Sequence, residues 1–150
     1  MVAVTYGGNT SGDYYSYDAM GRIKAKVQQT GGINYAIDPI VYNRAGAITS
    51  ENYPSGQFVN YGYDVAGRTN SFSGNLGGNQ RTYSNEISYS PFGGPSKEKF
   101  GTDALIYNKL FYNIRGQLAE IREGTSYTGP TDKGSELGAI INNYRQFSRL

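Results

Sequence analysis

The side chains of this chain that could do chemistry are its carboxylates and its tyrosines, because the 150 residues contain no histidine and no cysteine. The usual general base, the usual zinc ligands and the thiol nucleophile are therefore missing. Paired carboxylates could still act as acid and base, and those outside the turn motif described below are Asp38, Asp103, Glu120, Glu123 and Asp132. None of them belongs to a recognisable catalytic signature. We therefore expect no enzyme, no catalytic or metal-binding residues and no cofactor.

The tyrosines mark an internal repeat. Five times a tyrosine is followed directly by aspartate, asparagine or serine, and a glycine comes three residues after that, with the copies 25, 21, 26 and 23 residues apart. This spacing is typical of one supersecondary unit per copy. The motif residues are Tyr17, Asp18, Gly21 and Arg22; Tyr42, Asn43 and Gly46; Tyr63, Asp64, Gly67 and Arg68; Tyr89, Ser90 and Gly93; and Tyr112, Asn113 and Gly116.

Each copy has the signature of a type I turn. The side chain at the first position can bond the backbone ahead, and glycine at the fourth position adopts a positive φ without strain. A type I turn that ends in such a glycine is a three-residue hairpin connection with a bulge. We therefore predict positive φ at the five motif glycines. The same geometry predicts these cross-strand pairs: Tyr17 with Ile23, Tyr42 with Ile48, Tyr63 with Thr69 and Tyr112 with Leu118.

Regular alternation along the first hairpin predicts one apolar and one polar face. The apolar face would hold Tyr15, Tyr17, Ile23, Ala25 and Val27, and the polar face Ser16, Asp18, Arg22, Lys24 and Lys26. Since every copy has the same register, Tyr17, Tyr42, Tyr63 and Tyr112 should lie on one face of one sheet. The fourth copy departs, because Gly94-Pro95 stands where its second strand should begin, and we expect that strand to be broken or delayed.

The charged motif residues are interpreted as structural. Asp18 and Asp64 are expected to cap their turns, because the Gly-Gly-x-Gly-x-Asp pattern of calcium-binding repeats is absent. Arg22 and Arg68 are expected to form exposed ion pairs with these aspartates. The whole chain carries 14 basic and 12 acidic residues, and so weak a charge does not indicate a nucleic-acid partner.

Composition and turn spacing predict an all-β chain. Apolar residues make up 37% of the sequence, with 21 glycines and 15 tyrosines, which favours a thin, curved antiparallel sheet over a thick aliphatic core. Glycine-rich turns alternate with the motif turns, as in a meander of long hairpins. We expect a first strand over Met1–Tyr6, a repeat region over residues 1–128, and a turn-rich segment over 129–150 in which Ala139 could begin a further strand. No segment is long and apolar enough to span a membrane, and the first residues lack the features of a signal peptide.

Two copies carry a family resemblance. The stretches Tyr15–Ile23 and Tyr61–Arg68 resemble the Tyr-Asp (YD) repeats of the rearrangement-hotspot (Rhs) proteins, which also occur in toxin-complex C subunits and teneurins. The other copies are degenerate, with Asn43, Ser90 and Asn113 in place of the aspartate, but their spacing holds to about residue 128. The family's self-cleavage signature is not matched, since Asp38-Pro39 shares only its first two residues.

The resemblance implies a structural function. In that family the repeats are long β-hairpins that coil side by side into a hollow shell around a toxic C-terminal domain. It implies that this chain is a segment of such a bacterial, secreted or cell-surface shell, with the remaining repeats and the toxin or adhesive cargo as its partners. The alternative is a cell-surface module that binds glycans or a protein through exposed tyrosines. A segment with two unpaired edges should associate with other chains when isolated.

Overall fold

The computed structural model describes residues 2–5, 10–102 and 104–142. Within these residues all regular structure is β-strand, and the strands that pair are antiparallel and consecutive in the chain. The predicted all-β hairpin meander is confirmed. The strands are β1 (Val2–Thr5), β2 (Gly12–Tyr17), β3 (Ile23–Thr30), β4 (Ile33–Ile37), β5 (Ile40–Tyr42), β6 (Ile48–Asn52), β7 (Phe58–Tyr63), β8 (Thr69–Leu76), β9 (Asn79–Tyr89), β10 (Pro95–Phe100), β11 (Ile106–Tyr112), β12 (Leu118–Gly124) and β13 (Gly138–Ile141).

The chain forms two compact units, Met1–Arg81 and Thr82–Leu150. In the first unit β1 to β4 make a four-stranded sheet in chain order, and β5 to β8 pair successively. In the second unit β9 to β13 pair successively. The sequence-based boundary between residues 1–128 and 129–150 stays a prediction. Met1 and Tyr6 of the expected first strand lie outside the described residues, as do residues 143–150.

The five motif turns have the predicted backbone. The φ angles are 78° at Gly21, 89° at Gly46, 77° at Gly67, 87° at Gly93 and 73° at Gly116. In every copy the glycine N–H bonds the carbonyl three residues earlier, and the residue after the tyrosine bonds the carbonyl four residues later. Local sequence alone therefore produces the same turn five times.

Two kinds of turn close the other hairpin ends. The turn from Tyr53 to Gln57 makes the same two backbone bonds as the motif turns, with Gly56 at φ 77°. The pairs Gly31-Gly32 and Gly77-Gly78 have positive φ at both positions, as in two-residue hairpin turns. Glycine is required at each of these places because the left-handed conformation is strained for residues with a Cβ.

The register next to the motif turns is as predicted, and a bulge follows it. Each of the four predicted tyrosine pairs is present, and Tyr89 pairs with Pro95 in the fourth copy. Directly beyond each pair the register shifts by one residue. The extra residue always lies in the second strand, and the five are Lys24, Thr49, Asn70, Ser96 and Ala119.

This bulge corrects two sequence-based expectations. Ala25 pairs with Ser16, and Lys26 pairs with Tyr15, so the predicted apolar and polar faces of the first hairpin are wrong beyond the turn, since directly paired residues share a face. The second strand of the fourth copy is neither broken nor delayed, because β10 begins at Pro95 in the standard register. Proline is tolerated there as the first residue of a strand.

The motif tyrosines do not all share one sheet. Tyr17 ends β2 in the four-stranded sheet, whereas Tyr42 and Tyr63 end β5 and β7. The prediction of one common sheet is therefore wrong for the first copy. Between Tyr42 and Tyr63 the ladder of β5, β6 and β7 keeps the two rings on the same face, as expected from strand alternation.

The described residues bury little apolar surface. Ala25 is the one buried apolar residue among them, and Ser84 and Lys109 are the buried polar ones. Most tyrosines occupy half-buried positions. Several of their hydroxyls, such as those of Tyr14, Tyr42 and Tyr61, reach a polar partner. Cross-strand pairing and turn chemistry, more than a closed core, therefore hold these hairpins.

Candidate inter-repeat site

The motif aspartate closes its turn with both carboxylate oxygens. In the first copy Asp18 Oδ1 accepts the backbone N–H groups of Met20 and Arg22, each at 2.9 Å. Asp18 Oδ2 lies 2.7 Å from both Nε and Nη2 of Arg22. The backbone N–H of Arg22 is the main group that holds the pKa of Asp18 below its ordinary value, and the guanidinium adds to the effect.

The third copy repeats this arrangement. Asp64 Oδ1 accepts the N–H groups of Ala66 and Arg68, each at 2.9 Å, and Oδ2 lies 2.8 Å from Nε and 2.7 Å from Nη2 of Arg68. The pKa of Asp64 is lowered by the same groups, the Arg68 N–H first. Both predicted ion pairs are present, and both are partly exposed.

The degenerate copies keep part of this chemistry without charge. Asn43 Oδ1 accepts the N–H of Ala47 at 2.9 Å. Asn113 Oδ1 accepts the N–H groups of Arg115 and Gln117, and its Nδ2 donates to Gln117 Oε1 at 2.8 Å. The Asn113–Gln117 pair thus takes the place of an Asp–Arg pair. Ser90 Oγ is shielded from solvent and has no hydrogen-bond partner among the described residues.

The motif tyrosines connect successive copies through their hydroxyl groups. Tyr42 donates to the carbonyl of Ile23 at 2.6 Å, Tyr63 to that of Ile48 at 2.5 Å and Tyr112 to that of Pro95 at 2.8 Å. Each acceptor is the residue that pairs with the motif tyrosine of the preceding copy. All three bonds follow one rule. The hydroxyl of the motif tyrosine donates to the backbone carbonyl of the first residue in the bulged strand of the preceding copy.

Arg22 makes a second contact between copies. Its guanidinium carbon lies 4.5 Å from the centre of the Tyr42 ring, and Nη1 donates to the carbonyl of Asn43 at 3.3 Å. An arginine stacked on an aromatic ring gains a cation–π attraction in addition to its ion pair. The first copy is thus held to the second by a tyrosine hydroxyl and by an arginine.

Sequence reasoning placed the motif residues in turns but missed these contacts between copies. The tyrosine hydroxyls bind backbone carbonyls, and a carbonyl leaves no trace in a sequence because every residue has one. The signal that could have found the site was the repeat itself, since the same donor recurs in the same register. Asp18 and Asp64 are brought close to Arg22 and Arg68, respectively, as predicted.

Two of the candidate acid and base residues, Glu120 and Asp132, form ion pairs with basic side chains. Glu120 lies 2.7 Å from Arg122 Nε and 2.5 Å from Lys133 Nζ, which together hold its pKa below the ordinary value. Asp132 is paired with Lys109 at 3.3 Å, and Asp103 lies outside the described residues. Within the described ranges no three His, Cys, Asp or Glu residues are grouped so that they could hold a metal ion.

Solved structures of similar fold come from toxin complexes. Two crystal structures of TcdB2–TccC3, one of them without the hypervariable C-terminal region, match 91% of this chain with TM-scores of 0.72 and 0.73 and with 18% and 17% identity. A Tc holotoxin pore structure from Photorhabdus luminescens, with a mutated TccC3, matches 91% of the chain with a TM-score of 0.73 and 17% identity. This chain spans about 7% of the length of each matched chain.

At this level of identity the likeness shows the fold alone. No family model matches the sequence. No curated protein matches it either. None of the described residues forms a helix long and apolar enough to cross a membrane.

Proposed function

We propose that this chain is a structural segment of a β-hairpin wall and that it does no catalysis. The observation that carries the proposal is the hydroxyl bond from one copy to the preceding one, made by Tyr42, Tyr63 and Tyr112 in the same register. A side chain that repeats this bond holds neighbouring hairpins at a fixed offset. Such contacts suit a repeat array, whose stability comes from interfaces between adjacent units.

The low burial of the described residues supports the same role. An enzyme or a compact binding domain of this length normally buries a large share of its surface, whereas Ala25 is the one apolar residue buried in the described ranges. Matching chains of similar fold are parts of toxin complexes. We propose that the wall belongs to a secreted or cell-surface bacterial protein of the Rhs type and encloses or presents a toxin or adhesive cargo, with the parent's other repeats as partners.

The alternative of a ligand surface built from the motif tyrosines receives less support. Three of these hydroxyls are used inside the chain. The more exposed tyrosines include Tyr17 and Tyr35, which are 43% and 47% exposed and lie on separate strands. They do not form a continuous row of rings in the four-stranded sheet, because Tyr35 lies level with Gln28 and Asp13, four residues before Tyr17.

Light scattering combined with thermal melting tests the wall proposal on the purified 150 residues. A wall segment should associate at its sheet edges, because edge strands present unpaired backbone groups. We expect association that rises with concentration, together with a broad thermal transition. A monomeric species at high concentration with one sharp transition would instead indicate a self-contained domain.

A lysine substitution on an edge strand makes this test specific for the sheet edges. Ile33 lies in β4, an edge strand of the four-stranded sheet, and is 59% exposed. Ile33→Lys should reduce association, because a charge on an edge strand opposes pairing with another chain. Val65→Lys is the matched control, since Val65 is an exposed apolar residue in a turn. Equal association of the two variants would show that the edges do not drive it.

A further inference from the structure

The second unit contains a pocket of about 420 Å³ where the fourth and fifth copies meet. Its lining includes the aromatic rings of Phe92, Phe111, Tyr112 and Tyr127, together with the serines Ser88 and Ser96. Ligand sites in proteins are typically concave, about 300–1,000 Å³ in volume, and lined mainly by apolar rings with a few polar groups. The size and lining of this pocket agree with that description.

The pocket forms where the repeat departs from its pattern. In the first copy Arg22 covers the ring of Tyr42, the motif tyrosine of the next copy. In the fourth copy the residue at the arginine position is Gly94, which has no side chain to cover the ring of Tyr112. Tyr112 lies directly against Gly94, since a Cβ at this glycine would collide with the tyrosine hydroxyl. Glycine at this position thus allows Tyr112 to pack directly against the turn of the fourth copy, and Tyr112 lines the pocket.

A second departure adds an aromatic ring at the mouth. Phe92 occupies the turn position that is Met20 in the first copy and Ala66 in the third. It is 59% exposed and packs beside Gly116 of the fifth copy. Phe92 and Tyr112 both line the pocket, and no other motif turn has a phenylalanine at this position.

Another part of the lining comes from the segment after β12, which a buried ion pair anchors. Lys109 in β11 is 1% exposed, and its Nζ lies 3.3 Å from Asp132 Oδ2 and 3.3 Å from the carbonyl of Ser126. Lysine is almost never fully buried unless it is paired. Asp132 also accepts the N–H groups of Thr128 and Gly134, which, with Lys109, hold its pKa at about 2. Tyr127 is therefore part of a fixed wall.

Contacts to the face of its ring hold Tyr127 as well. It stacks on Tyr107 with ring centres 5.9 Å apart and an angle of 24° between the planes. Lys97 Nζ lies 4.6 Å from the centre of its ring and is itself paired with Glu86 at 2.9 Å. The pocket therefore has a preformed aromatic wall, which lowers the entropy cost of binding.

The polar groups of the pocket indicate the class of ligand. Lys109 is the one ionisable side chain with a formal charge at neutral pH among the lining residues, and Asp132 neutralises it. The hydroxyls of Ser88 and Ser96 lie 3.2 Å apart and bond each other, which leaves hydrogen-bonding capacity on both. The pocket thus favours a neutral ligand that has an apolar face and several hydroxyl groups.

We propose that this pocket binds one neutral pyranose residue of a carbohydrate. A pyranose ring presents a face of C–H groups, which is attracted to the negative face of an aromatic ring, and its hydroxyls match those of Ser88 and Ser96. Tyr112 lines the pocket and also makes a wall contact through its hydroxyl. The other aromatic rings and the two serines take no part in the wall contacts, and the proposal does not rest on the wall function.

Saturation-transfer-difference NMR on the full chain tests the proposal directly. The probes are methyl α-D-glucopyranoside, methyl α-D-mannopyranoside and methyl β-D-galactopyranoside at millimolar concentration, with glucuronate as the charged comparison and N-acetylphenylalaninamide as the peptide comparison. We expect saturation of the aromatic resonances to reach the ring C–H protons of at least one neutral pyranoside. Absence of transfer to all three, or stronger transfer to glucuronate or to the phenylalanine derivative, would overturn the proposal.

Matched variants locate the binding at the pocket. Phe92→Ala should weaken the affinity for the bound pyranoside roughly two- to tenfold, the range expected for the loss of one aromatic contact. Met20→Ala changes the same turn position in the first copy and should leave the affinity unchanged. Tyr127→Leu removes a second aromatic ring from the pocket lining. It tests whether the pyranoside binds in the pocket even if the Phe92 variant folds poorly. Unchanged affinity in a folded Phe92 or Tyr127 variant would place the sugar elsewhere and overturn the assignment.

Discussion

The first and fifth copies build the same turn from different chemistry. In the first copy a carboxylate accepts two backbone N–H groups and binds an arginine, whereas in the fifth an amide accepts two N–H groups and binds a glutamine. The backbone bonds that close the two turns are 2.8–3.0 Å long in both. In these two copies a side-chain acceptor oxygen and a left-handed glycine form the turn, with or without a charge on the acceptor.

The fourth copy extends this comparison. The Ser90 hydroxyl forms no hydrogen bond with a backbone N–H group or with a side chain of the described residues. The backbone bonds of its turn nevertheless persist, and Gly93 has φ 87°. Pro91 at the second position presets a φ near −65°, which fits a type I turn. In this copy the backbone preference of proline replaces the side-chain cap. Ser90, which does not cap the turn, is one of the residues that line the pocket described above.

The largest effect is expected from removing the shared element, the glycine. Gly67→Val should lower the free energy of unfolding by about 1–2 kcal/mol, because a β-branched residue is strained at positive φ. Apart from its two neighbours in the chain, no residue has an atom within 4 Å of where the Cβ would be, so the cost would come from the backbone and not from a clash. Denaturant unfolding measures it, with Ala66→Val in the same turn as the control. An equal loss in both variants would contradict a special role of the glycine.

Loss of one contact between copies should cost less. Tyr63→Phe removes the hydroxyl bond to Ile48 and should lower the free energy of unfolding by about 1 kcal/mol, since it leaves a carbonyl without its partner. Tyr17→Phe is the matched control, because Tyr17 holds the same motif position and no described residue forms a hydrogen bond with its hydroxyl. If both variants lose the same stability, the hydroxyl bonds between copies do not stabilise the array.

The smallest effect is expected from removing the charge, and it should depend on pH. The pKa values of Asp18 and Asp64 are lower in the folded chain than the ordinary value of an aspartate, because backbone N–H groups and the arginine side chains stabilise both carboxylates. Each carboxylate therefore contributes stability that is fully present above the unfolded pKa, about 3.9, and is lost as the pH falls through the folded value. Asp18→Asn combined with Asp64→Asn should flatten the loss of stability below about pH 4.

Unfolding curves at several pH values from neutral to acidic test this last prediction. The asparagines of the second and fifth copies show that an amide fits the turn, so the double variant should fold at neutral pH. Asn43→Ala serves as the control, because it removes a cap without removing a charge. An unchanged acid limb in the double variant would show that other carboxylates, such as Glu86 or Glu120, dominate the acid sensitivity.

Sequence determined the parts of this structure that depend on neighbouring residues. The five turns, their positive φ angles and the pairing of Tyr17 with Ile23 follow from residues no more than six positions apart, since turn chemistry is local. The Asp18–Arg22 and Asp64–Arg68 ion pairs follow for the same reason. The all-β class followed from the repetition of these turns.

Tertiary structure decided the contacts and strand registers that depend on residues far apart in the chain or on backbone groups that every residue carries. The bulge after each turn moved Ala25 opposite Ser16, because the ladder can absorb an extra residue without any signal in the alternating pattern. The hydroxyl bonds of Tyr42 and Tyr63 end on carbonyls, which every residue carries. The burial of Lys109 against Asp132 depends on the path of a loop between residues 23 positions apart, and no local preference fixes that path.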